Sequence, residues 1–487
     1  MDWNYRYAAH LLNRAGFGGT PVDIAKLQSM GAKQAVEYLL DYEHQPEDFP
    51  PPAWAHPNSE EERQAQLALK NATPEQRTQL QKETRRRYQQ QMLELRYWWL
   101  QKMTYGHRPL QEKLVLFWHG HFATSEEKVR HPYYMWRQNE LFRRLATGNW
   151  GTLLLEAGKD PAMLIWLDQA QSRKDHPNEN YAREVMELFS LGEGHYTEQD
   201  ITEAARALTG WSLDQKNQQF TYRPLIHDNS TKTIFGQTGN FDGDDFIKQI
   251  LQKPQAAEFL TAKLWTYFAG QPPTPEFNRA LAEVLRQHNY ELKPLLRTIF
   301  TCSAFYSDAV IQNQVKSPVQ WLVGSVKVLE SQLPPASISC AILRQLGQDI
   351  FAPPNVKGWD GGITWISTNS LLERYNDAQT LIDGSFPSLT AADLSAKAGG
   401  QGGKALLKTA QRLRMGGVDL NKILSPEDRA TTQTIVSSLA LRLFQKEMSP
   451  PQEGELYTFL HTQKKLDDTA IKTVIRLMMA TPDYQIT

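Results

Sequence analysis

The stretch PNENYAREVMELFSLGEGHYTEQDITEAARALTGW, Pro177 to Trp211, carries the pattern that decides the fold. At about 100° per residue, its first half places one polar and one apolar face along a helix. The polar face holds Asn180, Arg183, Glu184 and Glu187, and the apolar face holds Tyr181, Val185, Met186, Leu188 and Phe189. A glycine break follows, and Thr197 with Asp200 has the spacing of a capping box. The stretch therefore predicts two helices joined by a turn, the second one running to Trp211.

Most of the remaining sequence shows the same pattern of capped, amphipathic helices, and strand signals are few. We predict a mainly α protein in which 1–385 form a helical core domain. Within this domain we predict an irregular connection rich in proline at residues 44–58. A short excursion of loop or β-like structure is predicted at residues 212–245. Residues 386–403, rich in Ser, Ala and Gly, are predicted to be a linker, and 404–487 a helical C-terminal part.

Composition excludes several classes of function. The 53 basic and 54 acidic residues nearly cancel, so no net charge draws the chain to nucleic acid or an anionic membrane. The two cysteines, Cys302 and Cys340, cannot form a thiolate metal cluster. No apolar run is long enough to span a membrane, and the first residues contain no leader-like apolar region. As written, the sequence predicts a cytoplasmic protein. Export is the alternative, because a protein whose leader has been removed would show the same sequence.

The segment Pro109 to Phe122, PLQEKLVLFWHGHF, is apolar on nearly all sides and predicts a buried central helix. His119 and His121 stand near its end, about 200° apart on a regular helix, so they face one ion only if the helix frays at Gly120. Glu184 and Glu187 have the spacing by which helical bundles present paired carboxylates to a metal.

These four side chains, His119, His121, Glu184 and Glu187, form the candidate site for a divalent metal such as Zn, Fe or Mn. The alternative is that both glutamates lie on a solvated face beside Arg183 and that both histidines are hydrogen-bonded core residues.

The same acidic residues also suit catalysis without a metal. Glu184 or Glu203 could act as acid or base, and paired carboxylates are what glycoside cleavage requires. Asn180, Arg183 and Arg206 are candidates for orienting an anionic or polyhydroxyl substrate. Trp211, Trp359 and Trp365 could stack on sugar rings, although core packing is the more common use of tryptophan. Signatures of serine hydrolases, P-loops, dinucleotide sites, zincins and thioredoxins are absent from the sequence.

Four segments together resemble one bacterial family, domain-of-unknown-function family 1800. They are HLLNRAGFG at 10–18, LFWHGHFATS at 116–125, the stretch at 177–211, and NVKGWDGGITWISTNSLLER at 355–374. The resemblance implies a bacterial source and a large helical domain, and it implies that His119, His121, Asn180, Arg183, Glu184, Glu187 and Glu203 are a shared polar set. Family members often carry an export leader and are often encoded beside a sulfatase-like protein, which is therefore a candidate partner.

Two functions follow as expectations. In the first, the chain is a hydrolase-like enzyme that acts on a carbohydrate-like substrate, either a small molecule or a polysaccharide. Its helix-borne site consists of His119 and His121 with Glu184 and Glu187 on a divalent metal, and Glu203 as base or supporting group. In the second, the chain is a non-catalytic binding or scaffold protein whose polar set is a structural ion-pair network.

Overall fold

The computed structural model describes residues 2–47, 49–57, 59–384, 417–446, 448–463 and 465–487. The predicted linker at 386–403 and the first residues of the predicted C-terminal part lie outside the described residues. Within them the fold is mainly α, with twenty-four α-helices and two small sheets, which confirms the predicted class.

The helices follow one another with short connections. Those of the first half are α1 (Tyr5–Arg14), α2 (Pro21–Met30), α3 (Ala32–Leu40), α4 (Ser59–Asn71), α5 (Pro74–Tyr105), α6 (Pro109–His121), α7 (Glu126–Val129), α8 (Pro132–Arg144), α9 (Trp150–Gly158), α10 (Pro161–Trp166), α11 (Glu179–Glu187) and α12 (Glu198–Ala207). Those of the second half are α13 (Gly243–Gln252), α14 (Pro254–Ala269), α15 (Pro275–Gln287), α16 (Leu292–Thr301), α17 (Pro318–Val328), α18 (Ala336–Gln345), α19 (Thr368–Asp383), α20 (Leu420–Ile423), α21 (Thr432–Leu443), α22 (Pro450–Thr462), α23 (Asp468–Ala480) and α24 (Pro482–Gln485).

The deciding stretch folds as two helices, but the second is shorter than predicted. The Thr197–Asp200 capping box starts α12, which ends at Ala207. Gly210 then takes a φ of 91°, a conformation that glycine adopts readily, and Trp211 begins a strand instead of ending a helix. Tyr181, Val185 and Met186 are buried on α11, as the helical pattern predicts.

The excursion after α12 contains two β-hairpins. Strand β1 (Trp211–Asp214) pairs antiparallel with β2 (Gln219–Tyr222), and β3 (Lys232–Ile234) pairs antiparallel with β4 (Gln237–Gly239). Each sheet has only two strands, and such a pair is marginal alone, so it depends on packing against the helices. Asp242 ends the excursion by capping α13 through a capping box with Asp245.

One hydrophobic cluster runs through the described helices from α1 to α24. Helix α6 lies inside it: every residue of α6 from Leu110 to His119 is buried. The C-terminal helices share this cluster, because α23 packs on α19 and the Tyr484 hydroxyl lies 2.8 Å from the Ser325 hydroxyl on α17. No described helix combines the length and the apolar character that crossing a bilayer requires.

The two ends of the described chain meet around one arginine. Residues 314 and 487 exchange backbone hydrogen bonds of 2.9 and 3.3 Å, and Arg14 at the end of α1 is fully buried beneath them. Its guanidinium donates five hydrogen bonds, to the carbonyl oxygens of Phe268, Val310 and Thr487 and to the side-chain oxygens of Asn313 and Gln314. Burial lowers the pKa of Arg14 to about 9.

Candidate functional site: a cavity lined by lysines and tryptophans

Helix α6 supplies the inner wall of a cavity of about 510 Å³. Its other walls come from α14, from the segment before α17 and from the loop of residues 353–366, which we call the Trp loop. We name this space the Trp–Lys cavity. The side chains that characterise it are the four lysines Lys113, Lys263, Lys316 and Lys357 and the aromatic residues Phe117, Phe259, Tyr267, Trp359 and Trp365.

The Trp loop reaches α6 because two glycines face each other. Gly358 has a φ of 82°, and a Cβ built on it would lie 2.2 Å from the carbonyl oxygen of Gly120. Only glycine allows this approach, since any larger residue would collide with the backbone of α6. The close contact brings Trp359 against the end of α6, where its ring centroid lies 5.6 Å from that of His119.

The segment before the Trp loop is held by buried polar contacts. Phe351 donates its backbone N–H to Nε2 of His119 at 2.9 Å and accepts from the backbone of Glu126. Arg96, on α5, donates to the carbonyl oxygen of Ile350 and pairs with Glu126. Burial, followed by the nearby Arg96, lowers the pKa of His119 to about 3. His119 is therefore a neutral acceptor that positions this segment.

His121 faces a different set of partners. Because a carbonyl can only accept, its Nε2 donates to the oxygen of Phe189 at 3.0 Å. Its Nδ1 is then the acceptor, 3.4 Å from the amine of Lys263, which also donates to the carbonyl of Leu188 at 3.0 Å. Burial first, and then Lys263, hold the pKa of His121 well below its usual range. The residue joins α6 to α14 and to the end of α11.

The predicted metal quartet is not assembled. Helix α6 stays regular through His121, so His119 and His121 point to different neighbours, and each already uses a ring nitrogen in a hydrogen bond. Over the described residues, no three His, Cys, Asp or Glu side chains are grouped so that they could hold a metal ion. The residues that are present do not fit the predicted divalent ion.

The predicted acidic residues lie in three settings. Glu184 is half-buried, and its pKa is raised by burial and by Glu187, against the opposing charges of Arg183 and Lys357. Glu187 accepts a hydrogen bond from Tyr196 at 2.7 Å. Glu203 belongs to a structural network, because it pairs with Arg206 at 2.8 Å and accepts from the backbone N–H of Thr233.

Most of the predicted substrate-binding residues lie away from the cavity walls. Arg206 is engaged by Glu203 and by Asp228, and Arg183 pairs with the exposed Glu198 at 2.7 Å. Asn180 is exposed on α11. Trp211 is a core residue: it is 2% exposed, and a Cβ on Gly243 would meet its indole at 2.4 Å. Trp359 and Trp365 are the two members of the set that line the cavity.

The lysines are the residues that the sequence interpretation missed. None of the four forms an ion pair within the described part of the chain, and Asp360 is the single acidic side chain of the cavity wall. Burial, followed by Arg14, lowers the pKa of Lys113 to about 7, and burial lowers that of Lys263 to about 8. A lysine inside a helix that is apolar on every side, as Lys113 is in α6, was a usable signal, because buried lysines are rare.

A second cavity, of about 530 Å³, has a different character. Its wall combines three cations with three carboxylates, namely Arg137, Arg144, Lys159, Glu140, Glu156 and Asp160, beside Trp136 and Phe220. At formal charges the two signs balance, and burial raises the pKa of Asp160 to about 7. The excess of positive charge sets the Trp–Lys cavity apart.

The fold and the cavity together define a mainly helical protein with an aromatic, lysine-lined pocket. A family model described as "Protein of unknown function (DUF1800)" matches residues 10–486, and the chain belongs to this family. The resemblance inferred from the sequence is thereby confirmed. No curated protein and no solved structure matches the chain.

The Glu203 network gives a first prediction. We expect Glu203→Ala to lower the free energy of unfolding by about 1–3 kcal/mol, because the Thr233 N–H loses its acceptor and Arg206 loses one of its two carboxylate partners. Glu198 lies on the same helix as Glu203, and it is an exposed partner of Arg183. Glu198→Ala should therefore change the free energy of unfolding little. Chemical denaturation of both variants decides the matter: equal stabilities would leave Glu203 without a structural role.

Proposed function

We propose that the protein binds an anionic, carbohydrate-like ligand in the Trp–Lys cavity. The observation that carries this proposal is the presence of four lysines without ion-pair partners among the described residues, on a wall that also holds two tryptophans. Unpaired cations in a low-dielectric cleft attract anions strongly. Flat aromatic side chains offer the apolar faces that sugar rings cover.

The size of the cavity agrees with such a ligand. A volume of about 510 Å³ falls within the range of pockets that hold small molecules. Trp359 is half-buried and Trp365 is 8% exposed, so the loop offers one accessible indole above one that is packed. Lys357 on the same loop is exposed and Lys113 is buried, which spreads the positive charge from the mouth to the floor.

Hydrolysis is a second candidate function, and Glu184 favours it. Burial raises the pKa of this half-buried carboxyl above its usual range, and a raised pKa is a property of carboxyl groups that act as general acids. Lys357, which lines the cavity, is close enough to oppose that rise. This enzyme hypothesis uses Glu184 alone, without the metal, because the quartet of ligands is not assembled. The alternative hypothesis is a non-catalytic scaffold. The ion pairs of Arg183 with Glu198 and of Arg206 with Glu203 support it.

The binding proposal is tested with matched oligosaccharides. Titration calorimetry with an oligogalacturonate, a sulfated cello-oligosaccharide and a neutral cello-oligosaccharide should show binding of the charged ligands only. We expect Trp359→Ala and Lys263→Met each to weaken binding by about tenfold, or about 1.4 kcal/mol. Lys248→Met removes an exposed lysine that pairs with Asp245 and serves as the control. Equal affinity for the neutral ligand would contradict the proposal.

Binding should also depend on pH in a defined direction. The pKa values of Lys113 and Lys316 are lowered to about 7, and that of Lys263 to about 8, by burial. Each amine is positive below its pKa, so affinity for an anion should be highest near pH 6 and fall as the pH rises through 7 and 8. Added salt should also weaken binding, because it screens the attraction between the lysines and the anion. Affinity that stays constant from pH 6 to 9 would exclude the buried lysines as the binding groups.

A further inference from the structure

Lys316 differs from Lys113 and Lys263 in what its amine touches. The amine of Lys113 donates to Oε1 of Gln320, and that of Lys263 donates to the carbonyl of Leu188. The amine of Lys316 has no oxygen acceptor among the described residues. It lies instead 3.9 Å from the centroid of the Tyr484 ring.

The backbone of Lys316 is fixed even though its amine is free of acceptors. Its N–H donates to the carbonyl of Gln485 at 2.8 Å, and its carbonyl accepts from Nη2 of Arg374 at 2.8 Å. Arg374 is 1% exposed and donates through Nη1 to Oε1 of Gln485. A fixed guanidinium therefore stands beside the lysine, with no carboxylate paired to either group in the described part of the structure.

Two features of these surroundings, burial and the neighbouring guanidinium, favour the neutral amine, and they act against the face of the Tyr484 ring, which favours the charged form. A lysine is nucleophilic when it is desolvated or placed next to another cation, since both disfavour its protonated form. An amine that makes no hydrogen bond to an oxygen also keeps its lone pair available when neutral. Lys316 lines the Trp–Lys cavity and is only half-buried, and together with Tyr484 it also lines a smaller neighbouring cavity.

We propose that Lys316 is a nucleophile that captures a carbonyl group of the anionic ligand as an imine. The inference rests on the proposed ligand binding and narrows the ligand to an anion that bears an aldehyde or ketone, such as an open-chain acidic sugar. Lys113, Lys263 and Lys357 hold the anionic group, and the tryptophans cover its apolar face.

The step is balanced without an oxidant or a reductant. The neutral amine of Lys316 attacks the carbonyl carbon, so a C–N bond forms as the C=O π bond breaks and the oxygen takes a proton. In total the nitrogen gives up both of its protons and the oxygen gains two, so the hydroxyl leaves as water and the C=N bond forms. Burial, followed by Arg374, lowers the pKa of Lys316 to about 7, so a much larger fraction of this amine is neutral at pH 7 than of an ordinary lysine.

The test uses the full chain with pyridoxal phosphate, an anionic aromatic aldehyde, and with pyridoxal, which lacks the phosphate. After borohydride reduction, peptide mass spectrometry identifies the modified lysines. We expect pyridoxal phosphate to modify Lys316 about tenfold faster than exposed lysines such as Lys248, and pyridoxal to show a smaller preference. Modification spread over the surface lysines, with Lys316 unmodified, would overturn the inference.

Variants separate capture from binding. Lys316→Arg keeps the positive charge and should retain reversible binding of pyridoxal phosphate, seen as quenching of tryptophan fluorescence, while losing the reduced adduct. Lys248→Met, which removes an exposed lysine outside the cavity, should keep the adduct. Binding without any adduct in the unaltered protein would overturn the imine and leave the ligand proposal intact. Absence of both binding and adduct would count against the ligand proposal itself. Peptide mapping of the unaltered protein requires no variant to fold.

Discussion

Gly358→Ala should lower the free energy of unfolding by about 2–4 kcal/mol and detach the Trp loop from α6. Two costs add at this position. A residue with a Cβ is strained at a φ of 82°, and the new Cβ would lie 2.2 Å from the carbonyl oxygen of Gly120. Because that oxygen belongs to the backbone of a buried helix, the loop must move rather than the helix.

Gly362→Ala is the matched control for this prediction. Gly362 lies in the same loop with a φ of 58°, but a Cβ there would meet no atom within 4 Å. It should show only the conformational cost, about 1 kcal/mol. Chemical denaturation gives the stabilities, and the difference in tryptophan fluorescence between each variant and its Trp359→Phe counterpart, which isolates one of the 13 tryptophans, reports whether the loop is displaced. Two variants of equal stability would mean that the glycine contact does not hold the loop.

Arg14→Met should destabilise the fold by about 3–5 kcal/mol, because it leaves buried acceptors without a donor. The guanidinium donates to three carbonyl oxygens and to the amides of Asn313 and Gln314, at 2.7 to 3.0 Å. Those groups come from the end of α14, from residues 310–314 and from residue 487, so losing the guanidinium loosens three segments together.

Two variants complete the Arg14 experiment. Arg14→Lys keeps the charge but lacks the planar fork that reaches several acceptors, so its stability should lie between those of Arg14→Met and the unaltered protein. Arg6→Met removes an exposed arginine of the same helix, whose side chain pairs with Asp308, and should cost at most about 0.5 kcal/mol. If urea unfolding showed comparable losses of stability for Arg6→Met and Arg14→Met, the hydrogen bonds around Arg14 would not have the stabilising role expected here.

The sequence predicts the helices well because their signals are local. The capping box of Thr197 with Asp200 and the buried face of Tyr181 and Val185 depend on residues within one or two turns. Trp211 shows the limit of such signals. Gly210 reverses the chain and sends this residue into a hairpin, although the alanines before it extend a helical pattern.

The candidate site was only partly predictable, because its members meet through long-range contacts. The tryptophans of the Trp loop were identified from their polar surroundings, and His121 from its motif. Lys263 was missed since its meeting with His121 joins α6 to α14 across 142 positions of sequence. Lysine usually marks a solvated face, and Lys316 stands outside any helix, so periodicity gives no reason to place it in a cavity.

The five oxygen acceptors around Arg14 have a consequence for biosynthesis. One of these oxygens comes from Thr487, 473 positions after the arginine that binds it. A chain emerging from the ribosome therefore exposes the first helix with an incomplete shell for tens of seconds, given the usual pace of translation. During that interval we expect a chaperone to hold the nascent segment that contains α1, and slowing translation between Arg14 and Thr487 should prolong that association.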